Sequence, residues 1–200
     1  MTAQPSAAHP PIDRPDPLVV LADLFAGAGA ADYLGEAVTV AVHMRQAGAL
    51  AEDEGARGPI VAAALLHDVG HLRGEDGGEG HSGTTLMAGT DTHHGDSGAS
   101  WLAQWFGPEV TELVRLHVEA KRYLCTVEPG YTASLSPASL YTLGLQGGPM
   151  DDDEVAAFTE GGWADDAVRV RRYDDLAKDP DRPTPEFSHF EPLLRTLLRT

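Results

Sequence analysis

The chain has a single cysteine, Cys125, among its 200 residues. No internal disulfide can form, a zinc site built on thiolates is excluded, and a reducing cytoplasm is the compartment that fits. Nothing near Cys125 is placed to lower a thiol pKa, so it reads as a small buried hydrophobe and not a nucleophile. Long apolar runs are also missing. No stretch reaches the roughly 18 residues of a membrane span, and the opening MTAQPSAAHPPIDRPDP has neither the basic start nor the apolar run of a signal peptide. A protein neither secreted nor membrane-inserted is expected. Basic residues are scarce: 14 Lys and Arg against 31 Asp and Glu leave a formal net charge of -17. That charge repels phosphate backbones and argues against nucleic acid as a partner. It also draws attention to the few basic clusters, Lys121-Arg122 and Arg169/Arg171-Arg172. Finally, no internal repeat and no period-two alternation is present, which removes the main signal for strands.

What is present is helical. With 42% hydrophobic residues the chain can bury one substantial core, so a single domain over 18–200 is expected behind a Pro-, Ala- and Asp-rich, disordered leader over 1–17. VVLADLFAGAGA predicts a short helix and YLGEAVTVAVHMRQAGALAEDEG a longer one, with Pro59 suited to the first turn of the next. IVAAALLHDVGHL is apolar almost all round, the mark of a helix in the middle of a bundle. The glycine-rich stretch between His71 and His94 predicts a long surface loop. Further helices are expected over 95–106, 108–124, 136–145, 151–160 and 165–177, then a linker, DPDRPTPEF, and a short helix over 189–199. The fold class is all-α, a helical bundle.

The chemistry concentrates in histidine. His67 and Asp68 sit side by side in the apolar central helix, where an unpaired carboxylate is costly and needs a partner. An isolated His-Asp pair is more often a hydrogen-bonded core feature than a metal site. Here, however, LLHDVGHL adds His71 four residues after His67, on the same predicted helical face. His43, His94 and His117 come from neighbouring predicted helices. Imidazoles and carboxylates suit iron, zinc or manganese, and one carboxylate such as Asp68 can bridge two cations. Of the adjacent His93 and His94, only one can occupy the ligand position. Trp101, Trp105 and Trp163 read as packing residues.

Five segments, DYLGEAVTVAVH (32–43), ALLHDVGH (64–71), HVEAKRYL (117–124), LQGGPMDDDE (145–154) and RVRRYD (169–174), together resemble the HD-domain mixed-valent di-iron oxygenases. HVEAKRYL with QGGPM points to this narrower group within the HD proteins. The resemblance implies an HD-domain bundle with His43, His67, Asp68, His94, His117 and Asp174 as metal ligands and Asp68 as the bridge. It favours His94 over His93 through the small residues of the following GDSGASWL, which let that helix pack close to its neighbours. Asp174 enters only in this way, since by itself it reads as an ordinary surface acid. The implied cofactors are two irons, Fe(II) and Fe(III), with molecular oxygen as co-substrate. The implied reaction is oxidative cleavage of the carbon-phosphorus bond of an α-hydroxyphosphonate, such as 2-amino-1-hydroxyethylphosphonate or its trimethylammonio analogue, to phosphate and a carboxylic acid such as glycine.

Lys121 lies four residues after His117, and Arg171 three before Asp174, so both cations should face the same pocket if their segments are helical. Two cations beside metals imply an anionic small-molecule substrate. The resemblance assigns the phosphonate to His71, Lys121, Ser139 and Arg171, and gives Tyr33 and Glu36 the role of a gate. In that gate Tyr33 occupies a metal position at rest, and a substrate ammonium draws in Glu36 and displaces it. The spacing of Glu36, seven residues before His43, places it on the ligand-bearing face of the same predicted helix. Two rivals remain from the residues alone: a metal-dependent phosphohydrolase of the HD type, and a non-catalytic metal-binding regulatory domain.

Overall fold

The computed structural model describes residues 15–30, 33, 36–73 and 93–199. Several helices begin at residues suited to start one. Asp16 accepts a hydrogen bond from the Leu18 amide at 2.9 Å and Pro17 opens α1, Pro17–Ala26. A short 3-10 turn over Ala28–Ala30 follows. Thr39 caps α2, Val40–Asp53, and Pro59 lies in the first turn of α3, Gly58–Leu66. A single turn, α4, spans Val69–Leu72. After it come α5, His94–Leu102, and the 20-residue α6, Pro108–Val127. The remaining helices are α7, Tyr131–Ser134; α8, Pro137–Leu145; α9, Asp152–Glu160, which carries a reciprocal Asp151/Glu154 capping box; α10, Ala164–Leu176; and α11, Phe187–Leu197. No strand occurs among the described residues; an isolated bridge joins Phe106 and Leu198.

α3 is the axis of the bundle. Its residues from Ile60 to Leu66 are all buried, and it packs against α2, α6, α10 and α11. This accounts for its apolar surface on every side. α6 also packs on α5 and α10, and α10 on α2. Every one of these helices except α11 carries a member of the histidine and aspartate set, or is followed directly by one.

Four expectations need correction. The long helix beginning at Tyr33 does not form: α2 starts at Val40, where the Thr39 side chain satisfies the Val42 amide at 3.3 Å. Tyr33 and Glu36 therefore lie in the segment leading into α2, and the face argument for Glu36 fails. The helix through IVAAALLHDVGHL is interrupted at Asp68, whose backbone (φ -97°, ψ 12°) leaves the helical region, so His71 belongs to the separate turn α4. Cys125 is half-buried, not buried. The first helix, expected from Leu18, opens one residue earlier at Pro17 behind the Asp16 cap, while 1–14 lie outside the described residues. The predicted loop falls largely at 74–92, also outside them. α7 was not expected from the sequence.

Candidate metal centre and anion cleft

α4 and α5 meet backbone to backbone. A Cβ on Gly70 would stand 2.1 Å from the His94 carbonyl oxygen, and one on Gly98 3.1 Å from the Gly70 amide. The small residues after His94 thus allow the approach anticipated for GDSGASWL, and it brings His94 beside the turn that carries Asp68. His93, one residue earlier, is exposed and left-handed (φ 45°) and is not part of the cluster that His94 joins.

Two groups of buried donors result, His43/His67/Asp174 and Asp68/His94/His117. The Nε2 atoms of His43 and His67 are 3.0 Å apart, as are those of His94 and His117. Asp174 Oδ1 is 3.3 Å from His43 Nε2 and 3.9 Å from His67 Nε2. Asp68 divides its carboxylate between the groups. Oδ2 faces His67 at 3.4 Å and His43 at 3.7 Å, while Oδ1 faces His94 at 3.4 Å and His117 at 3.5 Å. Each oxygen of Asp68 thus faces one of the two histidine pairs.

The outer nitrogens determine what the inner ones can do. His43 Nδ1 lies 2.9 Å from the Ala177 carbonyl, His67 Nδ1 2.8 Å from that of Ala64, and His117 Nδ1 2.7 Å from that of Val114. A carbonyl only accepts, so each Nδ1 carries the proton and, in the neutral ring, each Nε2 presents a lone pair inwards. For His43 and His67, neutral rings would set two lone pairs facing one another at 3.0 Å beside carboxylate oxygens, which is repulsive unless a cation lies among them. The donor set therefore fits metal ions, with the tautomers already fixed by the outer bonds.

Without a metal, a proton on His67 can serve as that cation. Burial opposes charge on His67, yet Asp68 and Asp174 outweigh it and hold its pKa up at about 9. Burial, with the charge of His71 beside it, brings His94 down to about 3. Burial likewise opposes ionisation of Asp68 and Asp174. His67, His117 and His94 hold Asp68 well below the usual carboxylate range, and Arg171 with His43 and His67 does the same for Asp174. Arg171 Nη1 donates to Asp174 Oδ2 at 2.6 Å, which turns Oδ1 towards the imidazoles. Tyr33 donates its phenol proton to Asp68 Oδ2 at 2.9 Å and stacks on His43 with ring centroids 4.4 Å apart. Burial and the two aspartates push its pKa well above 10.

A cleft of about 500 Å³, counting its open mouth, rises from Asp68, His94, His117 and Asp174 and is lined further by Tyr33, Glu36, His71, Lys121, Ser139 and Arg171. Every residue expected in the anion and gate sets is at its wall. His71 stacks on His94 with centroids 3.9 Å apart, and burial lowers its pKa. Lys121 is 3% exposed and donates to Thr142 Oγ1 at 2.9 Å. Burial, and then the neighbouring Arg171, brings its amine down to about 7. The sequence reading missed Thr142, three residues after Ser139 on α8; Gln146, whose Oε1 is buried without a partner; and Lys178, just beyond α10.

The family model described as HD domain matches residues 40–154. A [1-hydroxy-2-(trimethylamino)ethyl]phosphonate dioxygenase (glycine-betaine-forming) from Leisingera caerulea is 39% identical over 187 residues, which is 94% of this chain and 93% of the relative. This chain belongs to the HD-domain phosphonate dioxygenases. A hydroxymethylphosphonate dioxygenase from Gimesia maris is 39% identical over 158 residues, 79% of this chain and 77% of its own length. No described helix is long and apolar enough to cross a membrane.

Proposed function

We propose that the chain is a dioxygenase that converts an α-hydroxyphosphonate and molecular oxygen into inorganic phosphate and a carboxylic acid. The balance closes with R–CH(OH)–PO3H2 and O2 giving R–COOH and H3PO4. The observation that carries the reading is the division of Asp68 between two buried histidine pairs at the foot of a cleft walled by cations. His43, His67 and Asp174 would hold one iron, His94 and His117 the other, and Asp68 would bridge them. Nitrogen and hard oxygen donors without thiolate suit a pair cycling between Fe(II) and Fe(III), which supplies the capacity to activate oxygen. With its lone cysteine, the protein is expected to work in the cytoplasm, as a single domain over 18–200.

The residues of the chain bind and orient the substrate. Lys121 spends one of its three N–H groups on Thr142, leaving two for phosphonate oxygens. Arg171 is held by Asp174, Asp175 and the Tyr131 hydroxyl, which fixes the guanidinium plane and leaves one N–H on each terminal nitrogen. Ser139 Oγ accepts from Lys178 at 3.2 Å, so its own proton is available to an anionic oxygen. His71 completes the set. These contacts place the hydroxyl-bearing carbon towards Asp68, and Tyr33 guards the same oxygen of Asp68 until substrate arrives. Glu36, on the same wall, faces the substituent R. The names of the two relatives differ in this substituent, one bearing a trimethylamino group and the other none, and both α-hydroxyphosphonates are candidate substrates. Iron-loaded protein given each of them should consume oxygen and release phosphate in equal amounts. Phosphate release that continues without oxygen would instead identify a hydrolase.

A further inference from the structure

Lys178 does not line the cleft but stands behind two residues that do. Its Nζ lies 3.1 Å from Glu36 Oε1, 3.2 Å from Ser139 Oγ and 3.4 Å from Ser136 Oγ. Ser136 donates to the same Glu36 oxygen at 2.6 Å. The Lys178 and Glu36 side chains are only 13% and 10% exposed, so salt and water screen the pair weakly. A carboxylate matched by the protein's own lysine offers less to an incoming cation than a free one. A cationic substituent meets a carboxylate whose charge Lys178 already matches at Oε1, whereas an uncharged substituent leaves the ion pair and its serine contacts intact.

We propose that Lys178 is a specificity-determining residue: by neutralising Glu36 it sets the preference of the cleft between α-hydroxyphosphonates with a cationic arm and those with none. The pair moves the balance towards the uncharged arm. Because Lys178 also holds Ser139, it links the wall that meets the phosphonate to the wall that meets the arm. The inference rests on the phosphonate reading above.

The test is anaerobic calorimetric titration of the iron-loaded chain with hydroxymethylphosphonate and with (1-hydroxy-2-trimethylammonioethyl)phosphonate. Lys178→Met should tighten the cationic ligand relative to the uncharged one by about tenfold or more, because a Glu36 carboxylate freed of its lysine attracts the quaternary ammonium by direct coulombic interaction. Lys178→Gln, which keeps a donor for Ser139 but no charge, should give the same shift. Lys178→Arg should keep the parental ratio, and adding Glu36→Gln to Lys178→Met should abolish the shift. Equal changes for both ligands, no change, or a shift that survives loss of Glu36 would overturn the proposal. Binding is read without turnover, so the two readings fail separately. A shift without oxygen-dependent phosphate release would refute the dioxygenase function alone, and no binding of either ligand to any form would refute both.

Discussion

Asp68 serves both histidine pairs, one oxygen to each, and no other carboxylate among the described residues reaches both donor groups. Asp68→Ala should therefore empty both metal positions, whereas loss of His94 or His117 should weaken one side first. Elemental analysis distinguishes these outcomes and also tests the choice between adjacent histidines: His94→Ala should lose metal and His93→Ala should retain it. At the substrate end, Lys121→Ala should raise the Michaelis constant for a phosphonate by one or more orders of magnitude with iron content unchanged, since a contact to a charged group contributes roughly 1.5 to 3 kcal/mol. The pH dependence has a definite sign. Burial and Arg171 bring Lys121 to about 7, so the free cleft carries this charge below that pH and loses it above. Phosphonate affinity should fall as pH rises through about 7, and Lys121→Arg, which stays charged, should flatten the decline. Tyr33 belongs to the same scale. If Tyr33 gives up its proton and its contact with Asp68 to bind the oxidised iron as the proposed gate, the resting iron-loaded protein should absorb visible light, and that band should be lost in Tyr33→Phe and fade on adding substrate.

Among the elements, the α4–α5 contact governs the site most directly. Gly70→Ala would drive a methyl group into the His94 carbonyl at 2.1 Å, and a backbone atom cannot rotate aside. The variant should lose about 1 to 3 kcal/mol or more of stability together with iron, measurable by thermal denaturation and metal analysis of one preparation. A variant as stable and as iron-rich as the parent would show that the close approach is dispensable. Most elements were legible in the sequence because apolar periodicity and Pro or Gly punctuation coincide, as at Pro59, Pro108 and the Gly-Gly breaks. The start of α2 was not, because YLGEA has ordinary helix composition and only the Thr39 cap shows where the helix begins. The interruption at Asp68 was hidden for a similar reason: apolar composition continues through it while the backbone does not. In the site, the histidines and Lys121 were readable from spacing. Asp174 was not, since its role depends on Arg171 and on helix packing that its own charge-rich stretch does not record. Lys178 escaped notice because its partners, Glu36 and Ser139, come from segments distant in sequence.

Over the whole molecule, core and site share the same helices. α2, α3, α6 and α10 pack the apolar core and also carry or adjoin His43, His67, His117 and Asp174. Metal binding should thus stabilise the native state by linkage, and chelation should lower the melting temperature in proportion to metal lost. The net charge of -17 makes the surface as a whole unfavourable to anions, so attraction for a phosphonate must come from the local cluster of Lys121, Arg171 and the metals. The most direct test of the central claim is phosphate release by iron-loaded protein given an α-hydroxyphosphonate, compared with and without oxygen. The account predicts one phosphate per oxygen consumed and none under anaerobic conditions, from protein holding close to two irons per chain. Equal phosphate release without oxygen, or an active protein holding a single zinc, would contradict it.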